Sequence, residues 1–138
     1  MKILGIDYGE ARTGLAISDE TEFLSNTYGT LHERNKEALA DRVTAVCQEH
    51  NVQKIVLGLP KNMDGTEGFR AQATRQFKEL LIERMPDVPI DFYDERMTTM
   101  IASHFMAEAG TKGQKKRNAI DALSAQIILQ DYLDRNRK

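Results

Sequence analysis

The chain has 138 residues, 41% of them hydrophobic and 29% charged, with a formal net charge of −2. That length suits one domain able to bury roughly two-thirds of its unfolded surface, and the composition excludes disorder. The single cysteine, Cys47, excludes an intramolecular disulfide and fits a reducing cytoplasm; no apolar run approaches a membrane span.

Taken in chain order, residues 2–7 form an apolar run broken by Gly9. It ends at Asp7, too early for the apolar core of a signal peptide. Residues 14–18 follow after a short turn, so the two runs predict a hairpin, with a third strand over 23–31. Residues 36–50 carry Leu39, Val43, Val46 and Cys47 at helical spacing. Residues 54–59 are a continuous apolar run ended by Pro60, the pattern of a strand buried on both faces. Thr66 is positioned to cap a helix reaching about Arg84, with Phe69, Ala73, Phe77 and Leu80 or Leu81 on its inner face. Residues 88–93 predict a further strand. Met97, Ile101 and Phe105 predict a helix stopped by Gly110, and a last helix runs from about Asn118 to Arg135 with Ile120, Leu123, Ile127 and Leu133 buried.

This order, β-β-β-α-β-α-β-α-α, predicts an α/β fold. Its mixed five-stranded sheet has strands 1–3 antiparallel and strands 1, 4 and 5 parallel, with helices on both faces. Asp7, the loop after Pro60, and Asp94-Glu95 then leave the carboxyl ends of three parallel strands, the edge where ligands of open α/β sheets bind.

Alone, Asp7 reads as a turn former, Glu95 as a surface acid beside Arg96, and Asp121 as a first-turn acid of a helix capped by Asn118. Brought together, three carboxylates repel by roughly 4 kcal/mol per pair at 4 Å and an effective dielectric of 20, so protons or cations must neutralise them. An oxygen-only set favours Mg²⁺ or Mn²⁺. His32, His50, His104 and Cys47 show no zinc spacing. Shared carboxylates holding two such ions suit in-line attack at phosphorus.

Gly5-Ile6-Asp7-Tyr8-Gly9, Gly14-Leu15-Ala16, Val56-Leu57-Gly58-Leu59-Pro60, Asn62-Met63-Asp64-Gly65-Thr66, Asp94-Glu95-Arg96-Met97-Thr98-Thr99 and Ile120-Asp121-Ala122-Leu123-Ser124-Ala125 occur in that order. Together they resemble the YqgF family, within the RNase H-like nuclease superfamily that also contains Holliday-junction resolvases. The resemblance implies an RNase H-like fold, a role in maturing the 5′ end of pre-16S ribosomal RNA, and catalytic metal-binding roles for Asp7, Glu95 and Asp121. Asp94 matches the motif, but strand alternation sets it on the opposite face from Glu95. Family members often carry a hydroxyl residue and a lysine after Gly9; here Glu10-Ala11 precede Arg12, which leaves Arg12 as the phosphate contact beside Asp7.

The loop 58–68 holds three glycines and leads into a helix whose first amides suit a phosphate, and it assigns Lys61 and Asn62 to substrate positioning. Lys112, Lys115, Lys116 and Arg117 form an acid-free stretch just before Asp121, read as a loop that grips the phosphate backbone. With no aromatic ladder in the sequence, recognition by shape and backbone is expected over base reading. The expectation is therefore a cytoplasmic Mg²⁺- or Mn²⁺-dependent endonuclease acting on structured RNA, as a monomer or homodimer, with the ribosomal subunit as a possible partner and no membrane. Two alternatives stand beside it: cleavage of branched DNA by a dimer, and a non-catalytic ribosome- or nucleic-acid-binding module.

Overall fold

The first strand sets the layers, because its side chains alternate between two different cores. Leu4 and Ile6 point to one face of the sheet and Ile3 to the other. In the computed structural model residues 1–97 and 114–137 are described, with only the backbone of 114–117. The elements are β1 (Lys2–Asp7), β2 (Arg12–Ser18), β3 (Ser25–His32), α1 (Lys36–Glu49), β4 (Val52–Leu59), α2 (Phe69–Arg84), β5 (Ile90–Asp94), a 3-10 turn (Glu95–Met97) and α3 (Gln114–Arg135). The helix expected around Ile101 and Phe105 lies outside the described residues.

The strands form one sheet in the order β3-β2-β1-β4-β5. β2 runs antiparallel to β1 and β3, and β4 lies parallel to both β1 and β5. This is the expected mixed sheet. On one face α1 and α2 cover a core of Leu4, Ile6, Leu15, Leu39, Val43, Ile55, Leu57, Phe77 and Leu81. On the other, α3 packs Ala125, Ile128, Leu129 and Leu133 against Ile3, Ala16, Val56 and Tyr93. Each large apolar side chain buried this way contributes roughly 1.5–3 kcal/mol. Cys47 belongs to the first core, where burial pushes its thiol up to about 12 and it serves as a packing residue.

Three expectations are corrected. Thr66 does not cap α2: its amide and hydroxyl bond to Asp64 at 2.9 and 2.6 Å, which closes a tight turn, and the helix begins only at Phe69 with Gly68 at the cap position. The buried face of α2 is consequently Ala71, Thr74, Phe77 and Leu81, and Phe69 is 80% exposed. Asn118 does not cap the last helix, which starts four residues earlier, so residues 114–117 are helical and not loop, and Asp121 is not in the first turn. Asn118 instead docks the helix on β3. Its carbonyl accepts from the Thr30 hydroxyl at 2.6 Å, and its side-chain oxygen lies 2.8 Å from His32 Nε2. Ile120 and Leu133 are buried as expected, but Leu123 and Ile127 are only half-buried, because the small Ala122 and Ala125 face the sheet.

Candidate active site

β1, β4 and β5 end together at one edge of the sheet, which brings Asp7, the loop after Leu59, and Asp94-Glu95 side by side. The α3 side of that edge is β1 positions 3, 5 and 7: Ile3 lies in the α3 core, and a Cβ on Gly5 would stand 2.8 Å from Leu129. Asp7 therefore shares the face covered by α3.

Two glycines make room for the remaining acids. Gly14 is the register partner of Asp7, and a Cβ there would lie 1.9 Å from the backbone oxygen of Asp121. Only a bare α-carbon lets α3 descend onto β2 at the level of Asp7. Gly58 does the same for Glu95: a Cβ would meet its Cγ and Cδ at 3.1 Å. The glutamate side chain folds back from the 3-10 turn over β4, toward Asp7.

The charges respond to this placement. Asp7 and Glu95 hydrogen-bond each other through their side chains, so the pair shares a proton. Desolvation, helped by the neighbouring Asp7 charge, pushes Glu95 up to about 9. Desolvation also raises Asp7, against the opposing effects of the Glu95 hydrogen bond and the Arg70 guanidinium. Asp121 is raised chiefly by desolvation, which the Arg12 charge opposes and Asp7 reinforces. Its Oδ2 is buried without a hydrogen-bond partner; Arg12 Nε stands 3.3 Å away as an ion-pair partner only. Asp94 is absent from the pair: Arg96 chelates it through Nε and Nη2, at 2.6 Å for the shortest contact, as strand alternation requires.

Among the described residues no group of three or more His, Cys, Asp or Glu side chains is placed so that it could hold a metal ion. The three expected ligands are neighbours, but as placed they do not make a cation site. A proton joins Asp7 to Glu95, and Arg12 neutralises Asp121, each doing what a cation would otherwise do. The donor set is all oxygen, partly desolvated, and contains one orphaned carboxylate oxygen, which fits a hard divalent ion.

The other expected contacts divide. Arg12 reaches the site, but it faces Asp121. The Asn62 side chain donates to Thr66 Oγ1 at 2.9 Å and shapes the loop. Lys61 is half-buried beside Glu67 and Asp94. Lys112 and the side chains of Lys115, Lys116 and Arg117 lie outside the described residues. Sequence reasoning missed Arg70, whose charge acts on both Asp7 and Glu95. The signal was Gly68, which as the true cap puts Arg70 in the first turn of α2 at the site edge.

The family model described as "RuvX: Holliday junction resolvase" matches residues 1–135. A protein of Acetivibrio thermocellus is 40% identical over 139 residues, covering 100% of this chain and 99% of its own length. One from Staphylococcus aureus is 42% identical over 135 residues, covering 96% and 95%. Both carry the name "Putative pre-16S rRNA nuclease". Among solved structures, fowlpox virus resolvase with Holliday junction DNA superposes with a TM-score of 0.63 at 12% identity over 100% of both chains. T. thermophilus RuvC with its junction substrate gives 0.61 at 14% identity over 98% and 95%. These likenesses show the RNase H-like fold. With the family match spanning nearly every residue and full-length relatives at 40–42% identity, the chain belongs to the RuvX (YqgF) family.

Proposed function

We propose that this chain is a divalent-cation-dependent nuclease that hydrolyses phosphodiester bonds in structured RNA, with the 5′ end of pre-16S ribosomal RNA as its substrate. The observation that carries the reading is the meeting of Asp7 and Glu95 on the α3 face of the sheet edge, beside the orphaned Oδ2 of Asp121. A hard cation such as Mg²⁺ or Mn²⁺, when bound, supplies Lewis acidity and lowers the pKa of an attacking water. Asp7, Glu95 and Asp121 are the residues that would hold it.

The chain's own groups prepare that site. Glu95 gives up the proton it shares with Asp7, and Arg12 releases Asp121 and is then free for a phosphate of the bound strand. Arg70 adds positive charge on the substrate side. Lys61, Lys112, Lys115, Lys116 and Arg117 supply further backbone contacts, and Asn62 holds the loop that presents Lys61. The place of action is the cytoplasm; no described helix is long and apolar enough to cross a membrane.

The names of the full-length relatives favour RNA, while the family description favours a second reading, cleavage of branched DNA by a dimer. Incubating the chain with a precursor-RNA fragment and with a four-way DNA junction under Mn²⁺ separates the two. The RNA is expected to be cut, and Asp7→Asn is expected to slow cutting by ~100-fold or more. Cutting of the junction alone overturns the RNA assignment, and undiminished cleavage by Asp7→Asn removes the acid from the site.

A further inference from the structure

Asp7 and Tyr8 are consecutive, so they leave the sheet edge toward opposite faces. Asp7 goes to the α3 side. The Tyr8 ring goes to the other, where it stacks on the buried Phe77 at 4.8 Å between centroids and an interplanar angle of 25°. Tyr8 also forms one wall of a cleft of about 250 Å³ lined by Gly9, Glu10, Arg34, Lys36, Phe69 and Arg70.

Two features of this cleft lack a structural purpose. Phe69 is 80% exposed at the start of α2, although burying such a ring is favourable and its neighbour Ala71 is fully buried. Arg34 and Arg70 make no side-chain hydrogen bond or close ion pair among the described residues, whereas most other arginines there are engaged, as Arg75 is by Glu67 and Arg84 by Asp41. Lys36 is tethered to Gln76 at 2.6 Å, which holds its charge on the cleft wall. Three cations against Glu10 alone make a positive pocket on a chain whose net charge is −2. Aromatic faces beside unpaired arginines are the elements from which binding sites for unpaired nucleotides are built.

We propose that this cleft is a subsite for one unpaired nucleotide of the substrate strand. Its base lies between the Phe69 and Tyr8 rings, and its phosphate is held by Arg70 and Arg34. The reading rests on the proposed nuclease activity and adds a substrate class: nucleic acid with an unstacked residue next to the bond to be cut. Arg70 links the two halves, since it lines the cleft and its charge acts on Asp7 and Glu95. A strand crossing the edge places the reacting phosphate on the Asp7 face and the adjoining base on the Tyr8 face.

The test measures binding without divalent cation, at low ionic strength, so that cleavage plays no part. Fluorescently labelled RNA duplexes, one blunt and one with a single-stranded overhang, are titrated with the wild-type chain, Phe69→Ala and Phe69→Trp. Phe69→Ala is expected to weaken binding of the overhang duplex about tenfold and to leave the blunt duplex unchanged. The chain has no tryptophan, so Phe69→Trp introduces a unique reporter. It should keep the wild-type affinity, and its emission should be quenched by the overhang duplex only. Equal affinity of Phe69→Ala and wild type for the overhang duplex overturns the proposal, as do equal losses on both duplexes or an unchanged tryptophan signal at saturation. Because no step here involves cleavage, Phe69-dependent stacking on a strand that is never cut would refute the nuclease reading and leave the subsite standing.

Discussion

The shared proton between Asp7 and Glu95 makes the cation-free protein's stability depend on pH in a direction opposite to ordinary acid unfolding. Desolvation and the Asp7 charge push Glu95 from its ordinary 4.5 up to about 9 in the folded chain, so between those values the native state is expected to hold a proton that the unfolded state lacks. Stability is fully present below pH 4.5 and is lost as pH rises, at up to about 1.4 kcal/mol per pH unit. From pH 5 to pH 7 the loss is roughly 3 kcal/mol, which for a chain of this size lowers Tm by about 10 °C. Glu95→Gln keeps a donor for Asp7 and removes the titration. Thermal unfolding of both proteins in EDTA, from pH 5 to pH 8.5, is the assay. The two are expected to unfold at similar temperatures near pH 5, and the variant to become progressively more stable above it. On the proposed reading, saturating Mg²⁺ should close the gap by stabilising the wild type, which alone keeps both carboxylates to hold it. Parallel curves for the two proteins across this range would refute the shared proton, and with it the crowding of the acids.

Other perturbations test the neighbouring geometry. Gly14→Ala forces a Cβ into the Asp121 carbonyl at 1.9 Å, so α3 must lift; a loss of about 3 kcal/mol or more in denaturant unfolding is expected, with cleavage falling in parallel. Phe77→Ala empties the core beneath Tyr8 and should cost about 3–5 kcal/mol by the same measurement. Arg12→Gln removes the competitor for Asp121. Half-maximal thermal stabilisation should then need about two- to fivefold less Mg²⁺, the range expected of a partly exposed ion pair. An unchanged or higher requirement would show that Arg12 does not compete with the cation.

Much of this was legible because strand alternation and βαβ connectivity are rigid rules. They put Asp7, Glu95 and the loop after Pro60 at one edge before any coordinates, and they separated Asp94 from Glu95. What could not be read was local competition for hydrogen bonds. Thr66 has every property of a cap, yet Asp64 two residues earlier takes its amide, which moves the helix start to Phe69. Asn118 likewise looks like a cap, but its partners Thr30 and His32 lie 88 and 86 residues away. Both misreadings displace residues that matter: a cap at Thr66 puts Phe69 in the core and hides Arg70 as a neighbour of the acids, and a cap at Asn118 puts Asp121 in a first turn that in fact begins at Gln114. The glycines at 14 and 58 were visible only as family motifs, since a missing Cβ acquires meaning when the element above it is known.

The polar docking of α3 on β3 bears on when the site comes into being. Ser25 bonds to Gln126 and Gln130, and Thr30 to Asn118, across gaps of 88 to 105 residues. A chain emerging from synthesis can pair its hairpin and close its βαβ units while that helix is still missing. During that interval the face of the sheet edge that carries Asp7 lacks its cover, and Asp121 joins Asp7 and Glu95 only when α3 docks. On the proposed reading, the constellation that would hold the cation is therefore assembled last, by long-range polar contacts and not by the strands that carry its first two acids.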